Sequence, residues 1–158
     1  MIRAGIGYDS HRLVVGRPLI LGGQRIPHDR GLEGHSDADA IAHALTDAIL
    51  GAAAMGDIGR LFPDSEPKWK GADSMVLLRL ACEQVAGGGF TPRQADITVI
   101  LEGPRLARFI PAMIEGLSRA TGIAADALSI KAKTNEGMGF IGRGEGVAVM
   151  AVATVEST

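Results

Sequence analysis

The chain has 158 residues, with 16 basic and 18 acidic side chains and a formal net charge of −2 at pH 7. Its basic residues are dispersed, which excludes the concentrated positive surface of a nucleic-acid-binding protein. One cysteine, Cys82, excludes an intramolecular disulfide and is typical of the reducing cytoplasm. No apolar run approaches the roughly 18 residues of a membrane-spanning helix, so we expect a cytoplasmic protein with no membrane partner.

The first predicted strand covers residues 2–9 and leads into the triplet Asp9-Ser10-His11. Residues i and i+2 of a strand project from the same face, so the side chains of Asp9 and His11 can reach one metal ion. An aspartate and a histidine at this spacing are also common on strands that bind no metal. The triplet is therefore a candidate that needs a third ligand.

A predicted helix over residues 40–55 supplies that candidate, His43. Ser36 is predicted as its N-cap, because a serine hydroxyl can accept a backbone N–H of the first turn. Asp39 and Asp47 lie four residues before and after the histidine, close to the same helical face. Asp39 is expected to be engaged at the helix start, so we predict that Asp47 orients the imidazole of His43.

Together, Asp9, His11 and His43 predict a zinc site. A zinc ion held by three protein groups keeps one coordination position open for a substrate oxygen. A lone histidine on a helix is more often a surface or core residue, so the prediction depends on the two segments coming together.

The remaining elements predict the fold. Predicted strands cover residues 18–21, 24–27, 96–101, 128–133 and 146–155, and predicted helices cover 72–86 and 104–121. A loop over residues 57–71 is rich in glycine, proline and aspartate, and loops of that length tend to be functional. We predict one α+β domain over residues 1–158, with one mixed β-sheet and helices packed on one face. Few aromatic residues and a slightly positive mean hydropathy favour an oligomer.

The sequence Gly137-Met138-Gly139-Phe140-Ile141-Gly142 matches the glycine fingerprint of dinucleotide-binding folds. That fingerprint works when a helix follows and places its N-terminus on the pyrophosphate. Here a strand follows, so we reject a dinucleotide site.

The segment before it, Lys131-Ala132-Lys133-Thr134-Asn135-Glu136, offers cationic, hydroxyl, amide and carboxylate groups at the end of a strand. Cations and hydroxyls suit phosphate oxygens, and Glu136 can hold a hard divalent ion that bridges them. An ordinary solvated strand end and turn is the alternative for this segment taken alone.

Several longer motifs extend over the whole chain in order. They are Asp9-Ser10-His11, His35-Ser36-Asp37 with His43, Asp57-Ile58-Gly59, Leu61-Phe62-Pro63-Asp64, Lys70-Gly71-Ala72-Asp73-Ser74 and Gly139-Phe140-Ile141-Gly142-Arg143-Gly144-Glu145-Gly146. With these motifs the sequence resembles the 2-C-methyl-D-erythritol 2,4-cyclodiphosphate synthases of the non-mevalonate isoprenoid pathway.

The resemblance implies a homotrimer with active sites at the subunit interfaces. It implies zinc on Asp9, His11 and His43, and a magnesium or manganese ion at Glu136. The implied substrate is the cytidine diphosphate compound 4-diphosphocytidyl-2-C-methyl-D-erythritol 2-phosphate. Its 2-phosphate attacks the β-phosphorus, expels CMP and closes the cyclic diphosphate.

The resemblance also implies residue roles, with His35 and Thr134 as stabilisers of the transition state. Its implied substrate-binding residues are Asp9, His11, His35, Ser36, Asp57, Ile58, Gly59, Phe62, Pro63, Asp64, Ser65, Glu66, Leu101, Gly103, Pro104, Lys133, Thr134, Asn135, Glu136, Phe140 and Arg143. Family members often carry a threonine-rich run where this chain has Lys133-Thr134-Asn135-Glu136. Glu102, in the segment assigned to the cytidine, is expected to point to solvent.

Two other functions stay open at the level of sequence. One is a zinc phosphodiesterase or phosphatase that uses the same Asp9, His11 and His43 to activate water. The other is a non-catalytic trimeric module that binds nucleotide diphosphates.

Overall fold

The computed structural model describes residues 1–158 as a mixed β-sheet with helices layered on one face. The strands are β1 (Ile2–Val15), β2 (Leu19–Leu21), β3 (Gln24–Ile26), β4 (Arg30–Leu32), β5 (Phe90–Ile100), β6 (Leu128–Lys133) and β7 (Gly146–Ser157). The α-helices are α1 (Ala40–Ala52), α2 (Ile58–Leu61), α3 (Ser74–Gly87), α4 (Ile110–Thr121) and α5 (Gly139–Gly142). Single 3₁₀ turns cover Pro67–Trp69, Ala107–Phe109 and Ala125–Ala127.

The main sheet has five strands in the order β4-β1-β7-β5-β6. Only β5 and β6 run parallel to each other, and the other pairs are antiparallel, so the predicted mixed sheet is confirmed. The predicted hairpin is also confirmed, because β2 and β3 pair across Gly22-Gly23. Within the main sheet, Asp9 lies opposite Val149 and His11 lies opposite Val147, two residues that are fully buried.

Helix α1 lies directly on strands β1 and β7, and α3 packs against α1 and α4. The apolar side chains of α1, such as Ile41, Leu45 and Ile49, are fully buried in the core. Two glycines of β1 allow the close approach, because a Cβ at Gly5 or Gly7 would overlap the backbone of α1. This contact fixes the distance between His43 on α1 and the two ligand candidates on β1.

The opposite face of the sheet carries no helix and exposes apolar side chains. Ile6 and Tyr8 of β1 pair in register with Val152 and Met150 of β7. All four are exposed, Ile6 to 65% and Val152 to 47%. We call Ile6, Tyr8, Met150 and Val152 the open sheet face.

Two predicted helix starts are wrong, each for a local reason. Asp39, not Ser36, is the N-cap of α1, and its carboxylate accepts the backbone N–H of Ala42 at 3.1 Å. Helix α4 begins at Ile110 rather than at residue 104, which places Pro111 in the first turn. Proline is tolerated there because the first-turn N–H groups have no partner inside the helix.

The strand predictions miss one strand and shorten two others, because the first strand was predicted to end at residue 9 and β1 continues to Val15. Strand β4 was not predicted, and β5 begins at Phe90 rather than at residue 96, with a bulge between Pro92 and Gln94. The predicted loop over 57–71 contains the single-turn helix α2 and the turn Pro67–Trp69. Helix α5, within the glycine fingerprint, is also one turn long. The strand β7 follows it, which agrees with the rejection of a dinucleotide site. None of the helices combines the length and apolar character needed to cross a membrane.

Candidate functional site

Asp9, His11 and His43 bring their side-chain ligand atoms together between β1 and α1. Asp9 Oδ2 lies 2.7 Å from His11 Nε2 and 3.1 Å from His43 Nδ1, and the two nitrogens are 3.3 Å apart. Atoms about 2.0–2.1 Å from a tetrahedral zinc ion are about 3.3 Å from one another. If the distance from Asp9 Oδ2 to His11 Nε2 lengthened by about 0.6 Å, all three distances between the ligand atoms would be close to that value. The cluster that the sequence predicted is therefore present, with dimensions that fit a divalent metal.

The outer nitrogens of both imidazoles have partners that leave the inner nitrogens free to coordinate. His11 Nδ1 is 2.8 Å from the carbonyl oxygen of Glu33, which can only accept, so Nδ1 carries the proton and Nε2 has a free lone pair. His43 turns Nε2 toward the hydroxyl of Ser74 at 2.8 Å and that of Ser36 at 3.1 Å. The three facing atoms offer lone pairs to one point, which is the donor set of a cation site.

The electrostatics of the cluster point the same way. Burial raises the pKa of Asp9, but the adjacent side chains of His11 and His43 outweigh it and hold that pKa below its usual value. Burial lowers the pKa of His11, but the Asp9 carboxylate outweighs it and the pKa is raised. Each group favours positive charge at the centre of the cluster.

The prediction that Asp47 orients His43 is wrong. Asp47 Oδ1 accepts the backbone N–H of Ile58 at 2.7 Å. Both nitrogens of His43 face other groups, so no ring N–H is left for Asp47. The aspartate instead anchors the start of α2, and the hydroxyls of Ser74 and Ser36 face His43 Nε2.

A cavity of about 580 Å³ opens beside the cluster. Its lining contains ten of the predicted site residues, namely Asp9, His11, His35, Ser36, His43, Ile58, Gly59, Phe62, Pro63 and Asp64. His35 Nε2 lies 3.3 Å from the carbonyl oxygen of Glu66, which ties the loop after α2 to the ring. Asp57 caps α2 by accepting the N–H of Arg60 at 2.8 Å, and Ser65 is exposed on the same loop. A volume of this size fits a small organic substrate.

A second, smaller cavity of about 240 Å³ lies between the segment after β5 and the end of β6. Four predicted residues line it, Leu101, Pro104, Lys133 and Thr134, and Gly103 lies within the same segment. The two cavities share no lining residue. The predicted site residues of one chain therefore form two separate groups.

The turn after β6 holds Thr134, Asn135 and Glu136. Thr134 Oγ1 accepts the N–H of Glu136 at 3.2 Å, and Glu136 has a positive φ of 54°. Glu102 is exposed to solvent, as expected, and its carboxylate also accepts the backbone N–H of Asn135 at 2.9 Å. The carboxylate of Glu136 forms no ion pair in the chain and is exposed, which leaves it available to a ligand.

Two further predicted residues lie outside both cavities. Phe140 borders a third cavity with His11 and Arg12, close to the metal cluster. Arg143, expected to face phosphate, pairs with Glu145, with Nε 3.1 Å from Oε1. The hydrogen bond that Arg143 donates to Glu145 raises the pKa of the arginine, and both side chains are exposed.

Sequence reasoning missed several residues at the main cavity. Trp69 and Leu77 line it, and the Trp69 ring stands edge-on to Phe62 with 4.9 Å between centroids. Trp69 Nε1 is buried without a hydrogen-bond partner. A lone tryptophan in a loop of glycine, proline and lysine was an available signal, because such loops rarely carry large aromatic residues without a packing or binding role.

A helix-layered mixed sheet with an Asp–His–His cluster beside a cavity of about 580 Å³ fits an enzyme that binds a divalent metal ion next to a small substrate. The sequence shows to which family of enzymes the chain belongs. The chain belongs to the YgbB family, whose family model matches residues 2–156.

Individual relatives agree with this membership. The 2-C-methyl-D-erythritol 2,4-cyclodiphosphate synthase of Salinibacter ruber is 55% identical over 156 residues, 99% of this chain and 99% of its own length. The structure of the bifunctional IspDF from Campylobacter jejuni has a TM-score of 0.96 and 42% identity; it covers 100% of this chain, which spans 43% of that longer one. A CDP-bound structure of 2C-methyl-D-erythritol-2,4-cyclodiphosphate synthase has a TM-score of 0.89 and 42% identity, with 98% of this chain and 100% of that chain covered.

Proposed function

We propose that this protein converts 4-diphosphocytidyl-2-C-methyl-D-erythritol 2-phosphate to 2-C-methyl-D-erythritol 2,4-cyclodiphosphate and CMP. It is a phosphorus–oxygen lyase of the non-mevalonate isoprenoid pathway. The observation that carries this proposal is the convergence of Asp9, His11 and His43 in a chain that matches a curated synthase over 99% of both lengths.

The reaction is an intramolecular phosphoryl transfer. An oxygen of the 2-phosphate attacks the β-phosphorus, and the bond from that phosphorus to the bridging oxygen breaks. The bond electrons leave with CMP, and the new phosphorus–oxygen bond closes the ring. The attacking phosphate is already anionic at neutral pH, so the protein needs positioning groups and charge stabilisers rather than a strong base.

The metal cluster and Glu136 are the proposed ion-binding groups. Asp9, His11 and His43 would hold zinc and Glu136 would hold magnesium or manganese. Such ions would supply Lewis acidity and neutralise phosphate charge. By the same resemblance, His35 and Thr134 are proposed to stabilise the transition state, in which charge builds up on phosphate oxygens. The contact of His35 Nε2 with Glu66 holds that ring beside the main cavity.

The two cavities divide the substrate between them. We assign the methylerythritol part to the main cavity, where Ser36, Asp57, Ile58, Gly59 and the loop from Phe62 to Glu66 offer polar side chains and backbone groups. The cytosine is assigned to the backbone of Leu101, Gly103 and Pro104 at the second cavity. Lys133, Asn135, Phe140 and Arg143 lie near the diphosphate in this assignment.

The family resemblance implies a homotrimer with sites between its subunits, and two observations support such an assembly of copies. The open sheet face exposes contiguous apolar side chains such as Ile6 and Val152, and burying it against further copies removes that surface from water. The two groups of site residues share no cavity within one chain. A neighbouring copy that brings its second cavity to the metal cluster completes one site.

Phosphorus NMR of the purified protein with its substrate and magnesium tests the proposed activity, before and after chelation. We expect the cyclic diphosphate and CMP in equal amounts, with both lost on chelation. CMP with a linear phosphate product would make the protein a hydrolase. Unchanged substrate with retained nucleotide binding would make it a binding module.

A further inference from the structure

The segment Lys70-Gly71-Ala72-Asp73-Ser74 is one of the motifs that carry the family resemblance, yet the proposed function gives it no role. Ser74 is the first residue of α3 and is fully buried. It does not line the main cavity. Its hydroxyl oxygen nevertheless lies 2.8 Å from His43 Nε2, on the side of the ring away from the metal cluster.

The hydrogen atoms of this contact can be assigned from its partners. The Ser74 hydroxyl donates to Asp37 Oδ1, because a carboxylate has no proton to give. Asp37 Oδ2 also accepts the backbone N–H of Ser74 at 3.1 Å. With its only proton committed to Asp37, the Ser74 oxygen can only accept from His43. The proton of the imidazole is therefore held on Nε2, and Nδ1 keeps the lone pair that faces Asp9 and His11.

Backbone hydrogen bonds hold the same two segments in register. The N–H of Gly71 donates to the carbonyl of His35 at 2.7 Å, and the N–H of Asp37 donates to the carbonyl of Ala72 at 3.0 Å. The segment before α3 is thus joined to the segment that carries His35. Because α3 also packs on α1, the serine cannot shift freely with respect to His43.

We propose that Ser74, oriented by Asp37, is a positioning residue for the metal site: it fixes the tautomer and the ring orientation of His43 and so sets metal affinity. The inference rests on the proposed function, because it takes His43 as a metal ligand. Outer partners of metal-binding histidines commonly act in this way, and their loss costs about 10- to 100-fold in affinity. Ser36 Oγ, 3.1 Å from the same nitrogen, remains as a weaker acceptor, so we expect a partial loss.

Zinc affinity, measured by competition with a chromophoric chelator, tests the proposal in a series of three variants. Ser74→Ala removes the acceptor, and we expect about 10- to 100-fold weaker zinc binding. Asp37→Asn keeps an oxygen that can accept the serine proton, so its loss should be smaller. Asp73→Ala is the matched control, because Asp73 caps the same helix through Met75 N at 2.9 Å and makes no contact with His43. Its zinc affinity should equal that of the wild type.

Cobalt substitution separates positioning from simple loss of structure. The visible absorption of bound cobalt(II) reports ligand geometry, so Ser74→Ala should change the spectrum while Asp73→Ala preserves it. Equal zinc affinities and equal cobalt spectra for Ser74→Ala and wild type would overturn the proposal. Equal losses in Ser74→Ala and Asp73→Ala would also overturn it, since the effect would then belong to the start of α3.

The same samples are assayed for the cyclic product, which keeps the two proposals distinguishable. Wild-type protein that binds zinc but forms no cyclic product would overturn the proposed function. If the wild-type protein forms the cyclic product and Ser74→Ala binds zinc as tightly as the wild type does, only the positioning role of Ser74 would be overturned.

Discussion

The carboxylate of Glu102 accepts a hydrogen bond from the backbone N–H of Asn135, with 2.9 Å between the oxygen and the nitrogen. The same oxygen lies 3.4 Å from the backbone nitrogen of Gly137. This contact joins the segment of the proposed cytidine pocket to the turn that carries Thr134 and Glu136. This exposed side chain therefore supports the second group of site residues.

Replacement of Glu102 by alanine should misplace that turn and leave the metal cluster intact. Displacement of a reacting group by an ångström costs up to about 100-fold in rate, so we expect kcat to fall between about 10- and 100-fold in Glu102→Ala. Zinc content should match the wild type. Glu115→Ala, which removes an exposed carboxylate paired with Arg119 on α4, is the control and should keep full activity. A wild-type kcat in Glu102→Ala would contradict this role.

Gly7 should be intolerant of any side chain, because a Cβ there would overlap the carbonyl oxygen of Ala44. Strain of this kind costs about 3 kcal/mol or more in the free energy of unfolding, and we expect that loss in Gly7→Ala. Gly51 lies on the other side of the same contact, and a Cβ at that position would have Ile6 O as its nearest neighbour, at 4.0 Å. Gly51→Ala should therefore stabilise the protein by about 0.5–1 kcal/mol. Urea unfolding measures the free energy of unfolding of both variants. Equal changes in Gly7→Ala and Gly51→Ala would refute the tight contact between β1 and α1.

Asp39 should be worth more to stability than an ordinary helix cap. It is fully buried and accepts the backbone N–H groups of Gly22, Gly23 and Ala42 at 2.9, 2.7 and 3.1 Å. Alanine would leave these donors without a partner, and we expect a loss of about 2–4 kcal/mol. Asp73→Ala removes an exposed cap with one such bond and should cost about 1 kcal/mol. Equal losses in thermal or urea unfolding would show that the hairpin contacts of Asp39 contribute nothing.

Cys82 should resist alkylation in the folded protein. Burial raises the pKa of its thiol to about 12, with a further increase from Glu83. A raised thiol pKa means that the reactive thiolate is scarce at pH 8, and access is also restricted. We expect iodoacetamide to react at least about 100-fold more slowly with folded than with urea-unfolded protein. Rates within a few-fold of each other, followed by mass spectrometry, would contradict the buried position.

Local patterns predicted the parts of this molecule that depend on nearby residues. Alternation placed Asp9 and His11 on one face of β1, and Gly122 ended α4 where expected, with a φ of 75°. Strand β4 was missed because its three residues carry no periodicity and, unlike β2 and β3, it is not joined to its partner strand by a recognisable tight turn. The first part of β5 was not predicted because Pro92 and the bulge after it interrupt the alternation of apolar and polar residues.

Long-range competition explains the errors at the site. Helical spacing put Asp47 near His43, but it could not show that the N–H of Ile58, eleven residues along the chain, would take the carboxylate. Nor could it show that Ser74, 31 residues away, would meet the imidazole. Periodicity describes single elements, whereas these partners are set by how α1, α2 and α3 pack together.

Mixing of two inactive variants tests most directly the claim that one site is built from two groups of residues on different copies. His43→Ala damages the metal cluster, and Thr134→Ala damages the second group. When both are reassembled together in equal amounts, about one quarter of the sites in random trimers should be intact, with activity near that fraction of the wild type. Asp9→Ala mixed with His43→Ala is the control and should stay inactive, because both changes fall in the same group. Activity of the first mixture no higher than that of its parents would contradict the account.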